Sequence, residues 1–170
     1  RAMKQELETV DQEVRSLQGR LEKKLNGLDI SGTAGPLSWP FYPARGMSTE
    51  FRDPEYPYRH LFEHSGIDLP TSVGTPVASA APGYVAWTRE GRLYGFNIMV
   101  VHANGTATLY AHLSKMLVKP DQFVQRGEVI GLSGGRPGAR GAGLSTGPHL
   151  HFEVRKDGIP VNPRDYLMAL

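Results

Sequence analysis

The feature that most restricts the fold is a change of texture at Leu37. Beyond it, short apolar runs alternate with Gly, Pro and Asn punctuation. That is the pattern of strands joined by turns, not of helices. Strands are expected at Thr75–Ala80, Gly83–Thr88, Asn97–His102, Ala107–His112, Glu128–Leu132 and His149–Arg155. Asn104-Gly105 falls between two of them and Asp157-Gly158 follows the last, and both dipeptides suit hairpin turns. Two segments resemble each other weakly, VGTPVASAAPGYV from Val73 and VQRGEVIGLSG from Val124. In each, a glycine stands three residues before an apolar strand position: Gly74 before Val77, and Gly127 before Ile130. This is compatible with an internal structural repeat or with chance.

The first thirty residues read differently. Met3, Leu7, Val10, Val14, Leu17 and Leu21 are spaced four, three, four, three and four apart, with charged residues between. That is a narrow heptad stripe on a helix. It predicts a truncated coiled-coil stem over 1–30, able to self-associate or to meet an envelope partner. An amphipathic helix lying on the domain would carry a similar pattern. Residues 31–36, SGTAGP, have the composition of a linker, and 37–170 are expected to form the functional domain.

Composition removes several function classes. The 170 residues carry a formal net charge of +2, with basic and acidic side chains interleaved, so no basic face points to nucleic acid. With no cysteine, disulfides, thiolate metal sites and a cysteine nucleophile are excluded. There is no apolar run of membrane-spanning length and no signal-peptide pattern. The chain begins with Arg and is expected to be a fragment of a longer protein. Its six histidines are the residues with most to explain.

Three histidine elements stand out. In HLHFEV (149–154), side chains two apart on a strand share a face. His149 and His151 would point one way, with Leu150 and Phe152 in the core. Two solvated histidines on a half-exposed strand would read the same. In HSGID (64–68), His64 and Asp68 fall on one side whether the segment is extended or coiled once, and Gly66 permits a sharp path. A carboxylate and an imidazole are ordinary zinc ligands, although a turn capped by Asp would also fit. In YAHLS (110–114), His112 closes an expected strand and could equally be a satisfied core histidine.

Taken in order, HSGID, GTPVASAAPGYV, LYGFN, YAHLS, STGPHLHFEV and VNP resemble the LytM/lysostaphin-type zinc metallopeptidases, over about Trp39 to Leu167. The resemblance implies a mainly β fold. It would be an antiparallel sheet with an open groove, built on a duplicated hybrid-like motif and preceded here by the helix. It implies one Zn2+ per domain, held by His64, Asp68 and His151, with His112 and His149 assisting catalysis. It implies hydrolysis of peptidoglycan stem-peptide cross-links, with D-alanyl–diaminopimelate bonds preferred over glycine bridges, by an exported, periplasmic or membrane-tethered enzyme. Some domains of this type have lost ligands and serve as non-catalytic peptidoglycan-binding or hydrolase-activating modules. Here all five histidine and aspartate positions are filled, which favours the enzyme. Glu153, on the strand face of His151, could orient that ligand from behind.

Three further features need a reading. His60-Leu-Phe-Glu-His64 fits the H-x-x-E-H pattern of another zinc peptidase class. That chemistry needs a helix, and Pro54, Pro57 and Gly66 argue against one. Gly138 and Gly143 have phosphate-loop spacing, but Leu144 stands where Lys is required, so no nucleotide is expected. The run from Gly134 to Gly143 reads as a mobile groove wall whose Arg136 and Arg140 could meet substrate carboxylates.

Overall fold

The computed structural model describes residues 2–26 and 36–170, without the side chains of Glu22 and Asn26. The linker expected over 31–36 lies outside the described residues, Pro36 excepted. One helix, α1 (Ala2–Asn26), precedes nine strands. These are β1 (Ile67–Pro70), β2 (Pro76–Ala78), β3 (Gly83–Gly91), β4 (Gly95–Val101), β5 (Thr106–Met116), β6 (Phe123–Val124), β7 (Val129–Ser133), β8 (His149–Lys156) and β9 (Ile159–Val161). They form one open antiparallel sheet in the order β1-β8-β5-β4-β3-β6. β9 lies beside β8, and β7 pairs with both β5 and β2.

All six expected strands are present, with ends displaced by a few residues. β1, β6 and β9 were not expected. They are four, two and three residues long, too short to show a period. Both hairpin readings hold. Asn104 and Gly105 have φ of 61° and 73°, and Asp157 and Gly158 have 51° and 84°, the double positive φ of a type I′ turn. The weak repeat also has a structural counterpart, because β2 and β7 pair with each other. Gly74 N–H donates to Ser133 O while Gly127 N–H donates to Ser79 O. Ser133 N–H donates to Thr75 O while Ser79 N–H donates to Glu128 O. The two segments clasp each other reciprocally.

The sheet is covered on both faces. On one face, Ile67, Leu69, Val77, Ile98, Tyr110 and Phe152 are among the side chains of a buried apolar cluster. On the other, Trp87, Tyr94, Met99, Leu109 and Ala111 pack against Val10, Val14, Leu21 and Leu25 of α1. The stripe expected to form a coiled-coil seam is therefore taken up by the sheet of its own chain. Its period explains the difference. The buried positions run Val10, Val14, Gln18, Leu21, Leu25, while Met3 and Leu17 stay half-buried. The buried set leaves the strict heptad at Gln18, following the straight-helix period along the sheet rather than a supercoiled seam. Each fully buried Leu or Val contributes roughly 1.5–3 kcal/mol of transfer free energy, so pairing α1 with another helix would first require stripping it from the domain. Among the described residues, no helix is long and apolar enough to cross a membrane.

Candidate metal centre

β8 carries the site because it alternates. Leu150, Phe152 and Val154 point into the apolar cluster, and His149, His151, Glu153 and Arg155 take the opposite face. β1 lies antiparallel to β8 with Asp68 opposite His151. Just before β1 the chain passes so close over β8 that a Cβ on Gly66 would lie 2.3 Å from Phe152 O. Only glycine fits there, and the close pass brings His64 over the same spot as Asp68.

His112 arrives by a break in pairing. β5 follows β8 as far as Ala111 opposite His151, then follows β7 from Leu113 opposite Ser133. Across β4, Phe96 pairs with Leu113 and Ile98 with Tyr110, so Ala111 and His112 together face Asn97. This is a β-bulge. His112 has φ of 60°, a left-handed conformation that costs a non-glycine residue about 1–3 kcal/mol and is found mostly where function requires it.

Each of the four imidazoles has one nitrogen tied behind it. His64 Nδ1 donates to Glu50 O at 2.8 Å, His112 Nδ1 to Ala142 O at 2.6 Å and His149 Nδ1 to Gly147 O at 2.7 Å. His151 Nε2 donates to Glu153 Oε2 at 2.9 Å. A carbonyl or carboxylate oxygen can only accept, so each tied nitrogen carries a proton and the other faces the cleft, where in the metal-free chain His151 Nδ1 is protonated as well, toward Asp68. His64 Nε2 and His151 Nδ1 lie 3.2 Å and 2.9 Å from Asp68 Oδ1, with His149 Nε2 at 3.7 Å. Among the described residues, ligand atoms of His64, Asp68 and His151 all lie within 4.8 Å of one another. Two imidazole nitrogens and a carboxylate oxygen suit a zinc ion. The His112 and His149 rings are 4.8 Å apart, both lining the same cleft of about 120 Å³.

The electrostatics follow from burial and pairing. Burial would raise Asp68, but hydrogen bonds and charges from His151 and His64 hold it well below the usual carboxylate range. Burial would lower His151, yet Asp68 and Glu153 overcome it and hold it at about 9. His112 is pushed down to about 3 by burial and by the neighbouring charges of His149 and His151, so it stands neutral at neutral pH. Glu153, fully buried, would be raised by burial but is held far below its ordinary value by Arg155 and His151.

Residues 62–163 match the sequence profile described as Peptidase family M23, more than half of the chain. The chain belongs to peptidase family M23. It is 42% identical over 118 residues to the DD-carboxypeptidase/endopeptidase Mpg of Neisseria meningitidis serogroup B, covering 69% of this chain and 26% of that protein. It is 44% identical over 104 residues to the peptidoglycan DD-endopeptidase ShyA of Vibrio cholerae serotype O1, covering 61% of this chain and 23% of that one. The chain thus spans about a quarter of the length of these relatives. A zinc-containing peptidase from Vibrio cholerae superposes with a TM-score of 0.66 at 34% identity, over 75% of this chain and 39% of the other.

Within the M23 fold, some expected site residues gather and others do not. His64, Asp68, His112, His149 and His151 meet in one cleft, with Glu153 directly behind His151. His60 is exposed in a run of turns, so the H-x-x-E-H reading has no helix to stand on. Arg136 and Arg140 are exposed. Arg140 faces Glu90 at 3.7 Å, and neither arginine lines the cleft. The wall is formed instead by Leu144, Ser145 and Thr146. The glycine run is also not loose at its base. Gly141 O accepts from Phe96 N–H, Leu144 N–H donates to Leu93 O, and Ala142 O holds His112. A Cβ on Gly141 would meet the Phe96 ring at 2.2 Å. Close backbone contact, rather than side-chain burial, anchors the base of this loop.

Three contributors to the site had no reading from the sequence. Tyr94 and Ser65 both donate short hydrogen bonds to Glu153 Oε2, and Arg155 Nε donates to Glu153 Oε1 at 2.9 Å. Arg155 was open to prediction, since it continues the i, i+2 series from His151 and Glu153.

Proposed function

We propose that this M23 domain is a zinc-dependent endopeptidase that hydrolyses peptide cross-links of peptidoglycan. The observation that carries the reading is the convergence of four imidazoles and Asp68 on one cleft, each imidazole tied at its far nitrogen and turning the near one inward. A coincidental histidine cluster would have no reason to share that arrangement. In this reading His64, Asp68 and His151 hold the ion. A bound zinc supplies Lewis-acid polarisation of the scissile carbonyl and a water acidified to a pKa of about 7.

The remaining steps belong to the chain. His112, neutral and fixed by Ala142 O, accepts the proton of the attacking water. His149, 4.8 Å away ring to ring, turns Nε2 to the cleft and would stabilise the oxyanion once protonated there, while the proton taken up by His112 passes to the leaving amine. Glu153 keeps the proton of His151 on Nε2, which leaves Nδ1 for the ion. The aromatic side chains of Tyr56, Tyr58 and Phe62 and the hydroxyls of Ser145 and Thr146 line the cleft. They offer an extended peptide both apolar contact and hydrogen bonds.

The bond proposed is the D-alanyl–diaminopimelate cross-link, in keeping with the DD-endopeptidase names of the relatives. Such a substrate places the protein outside the cytoplasm. The test is a digest of purified cross-linked muropeptides with the zinc-loaded chain, read by mass spectrometry. Conversion of cross-linked dimers to monomers supports the reading. Intact dimers after incubation with protein shown to hold one zinc would overturn it in favour of a binding module.

A further inference from the structure

The M23 profile begins at residue 62, yet α1 reaches the centre of the site. Two of its carboxylates do so by separate routes. Asp11 Oδ1 pairs with Arg155 Nη1 at 2.5 Å. Arg155 is fully buried and passes its other side to Glu153, with both Nε and Nη2 2.9 Å from Oε1. Glu153 Oε2 then holds His151 at 2.9 Å. Glu6, one and a half turns earlier, accepts from the backbone N–H groups of Arg92, Leu93 and Tyr94 at 2.8, 3.1 and 3.2 Å. That fixes the bend between β3 and β4 from which Tyr94 donates to Glu153 Oε2.

The docking surface is shaped for these contacts. A Cβ on Gly91 would lie 2.3 Å from Glu6 Oε2, and one on Gly158 would lie 2.4 Å from Arg15 Cγ. Glycine at both ends of the track lets α1 settle close enough for its carboxylates to reach.

We infer that α1 is a positioning element of the metal centre, in which Asp11 and Glu6 fix Glu153 through Arg155 and Tyr94 and thereby set the ring of His151. A tethering stem would need only the apolar stripe. The physical argument is that a buried carboxylate is held by whatever neutralises it. Without Asp11, Arg155 keeps its charge but loses the partner that fixes its far end, so Glu153 gains freedom to tilt. Buried polar networks transmit such changes because each member depends on the next for its hydrogen bonds. This inference rests on the proposed metal site.

The test uses the whole chain and measures zinc dissociation constants by competition with a chromophoric chelator, on variants shown to be folded by circular dichroism. Removing the partner behind a ligand histidine commonly weakens metal binding about 10–100-fold, and Glu153→Gln should fall in that range. Asp11→Asn should weaken it about fivefold to tenfold, one link further out. The double variant should lose no more than Glu153→Gln alone, because the effect of Asp11 passes through Glu153. Val14→Ala, which loosens α1 without touching the ion pairs, should lower Tm and leave the zinc constant unchanged. Zinc binding by Asp11→Asn indistinguishable from wild type overturns the inference alone, as does full additivity in the double variant. A wild-type chain that retains no zinc overturns the metal-centre reading, and the inference with it.

Discussion

The two faces of β8 are buried almost equally and held in opposite ways. Leu150, Phe152 and Val154 are fully buried among apolar neighbours, where the contribution of each residue is roughly proportional to its area. His151, Glu153 and Arg155 are nearly as buried, at 5%, 0% and 0% exposure, and nothing about that burial is favourable alone. It is tolerable because every charge has a partner, from Asp68 to His151 to Glu153 to Arg155 to Asp11. The apolar face should therefore fail gradually, and the polar face should fail at single atoms.

Adjacent residues break that comparison most sharply. His151→Ala should retain the fold yet lose bound zinc and all measurable peptidase activity, read by elemental analysis and muropeptide digestion. Zinc retained at one per chain would show that β8 does not carry the ligand. His112→Ala tests a group beside the ligands. It should keep the metal while turnover falls about 10²–10⁴-fold, the usual cost of removing a general acid or base. Wild-type turnover would take His112 out of the chemistry.

Acidity probes the polar face without mutation. In the metal-free chain His151 holds its second proton up to about 9, and a metal at Nδ1 must displace it. Zinc affinity should therefore rise with pH, about tenfold per unit and roughly 100-fold between pH 6 and 8, levelling above about 9. A flat profile from chelator competition would mean that this proton is not the one displaced. On the apolar face, Phe152→Ala should cost about 3–5 kcal/mol in chemical denaturation while the folded fraction binds zinc as before. Zinc loss at full stability would reverse the assignment of the two faces. The smallest effect belongs to Arg136→Ala/Arg140→Ala. Both side chains are exposed, away from the cleft, and exposed charges are well screened. We expect kcat/KM on intact peptidoglycan to stay within about twofold of wild type. A larger, salt-sensitive fall would restore them to the groove.

The parts legible in the sequence are those with a local cause. The period-2 alternation of HLHFEV fixes which side chains share a face, whatever strands come to lie beside it. Asn104-Gly105 and Asp157-Gly158 adopt double positive φ because their own side chains allow it. The order of the histidine motifs was sufficient to identify the M23 family. What the tertiary structure decided depends on distant partners. The heptad spacing of α1 is equally compatible with a second helix or a sheet, and only the presence of Trp87, Met99 and Leu109 on an open face selects the sheet. His112 enters the cleft through a bulge created when β5 exchanges β8 for β7, a switch that no window around YAHLS contains. The route from Asp11 to His151 joins residues 140 positions apart in the chain. It arises only because α1 packs on the sheet face to which Arg155 turns, where a buried arginine needs a carboxylate from outside the strand.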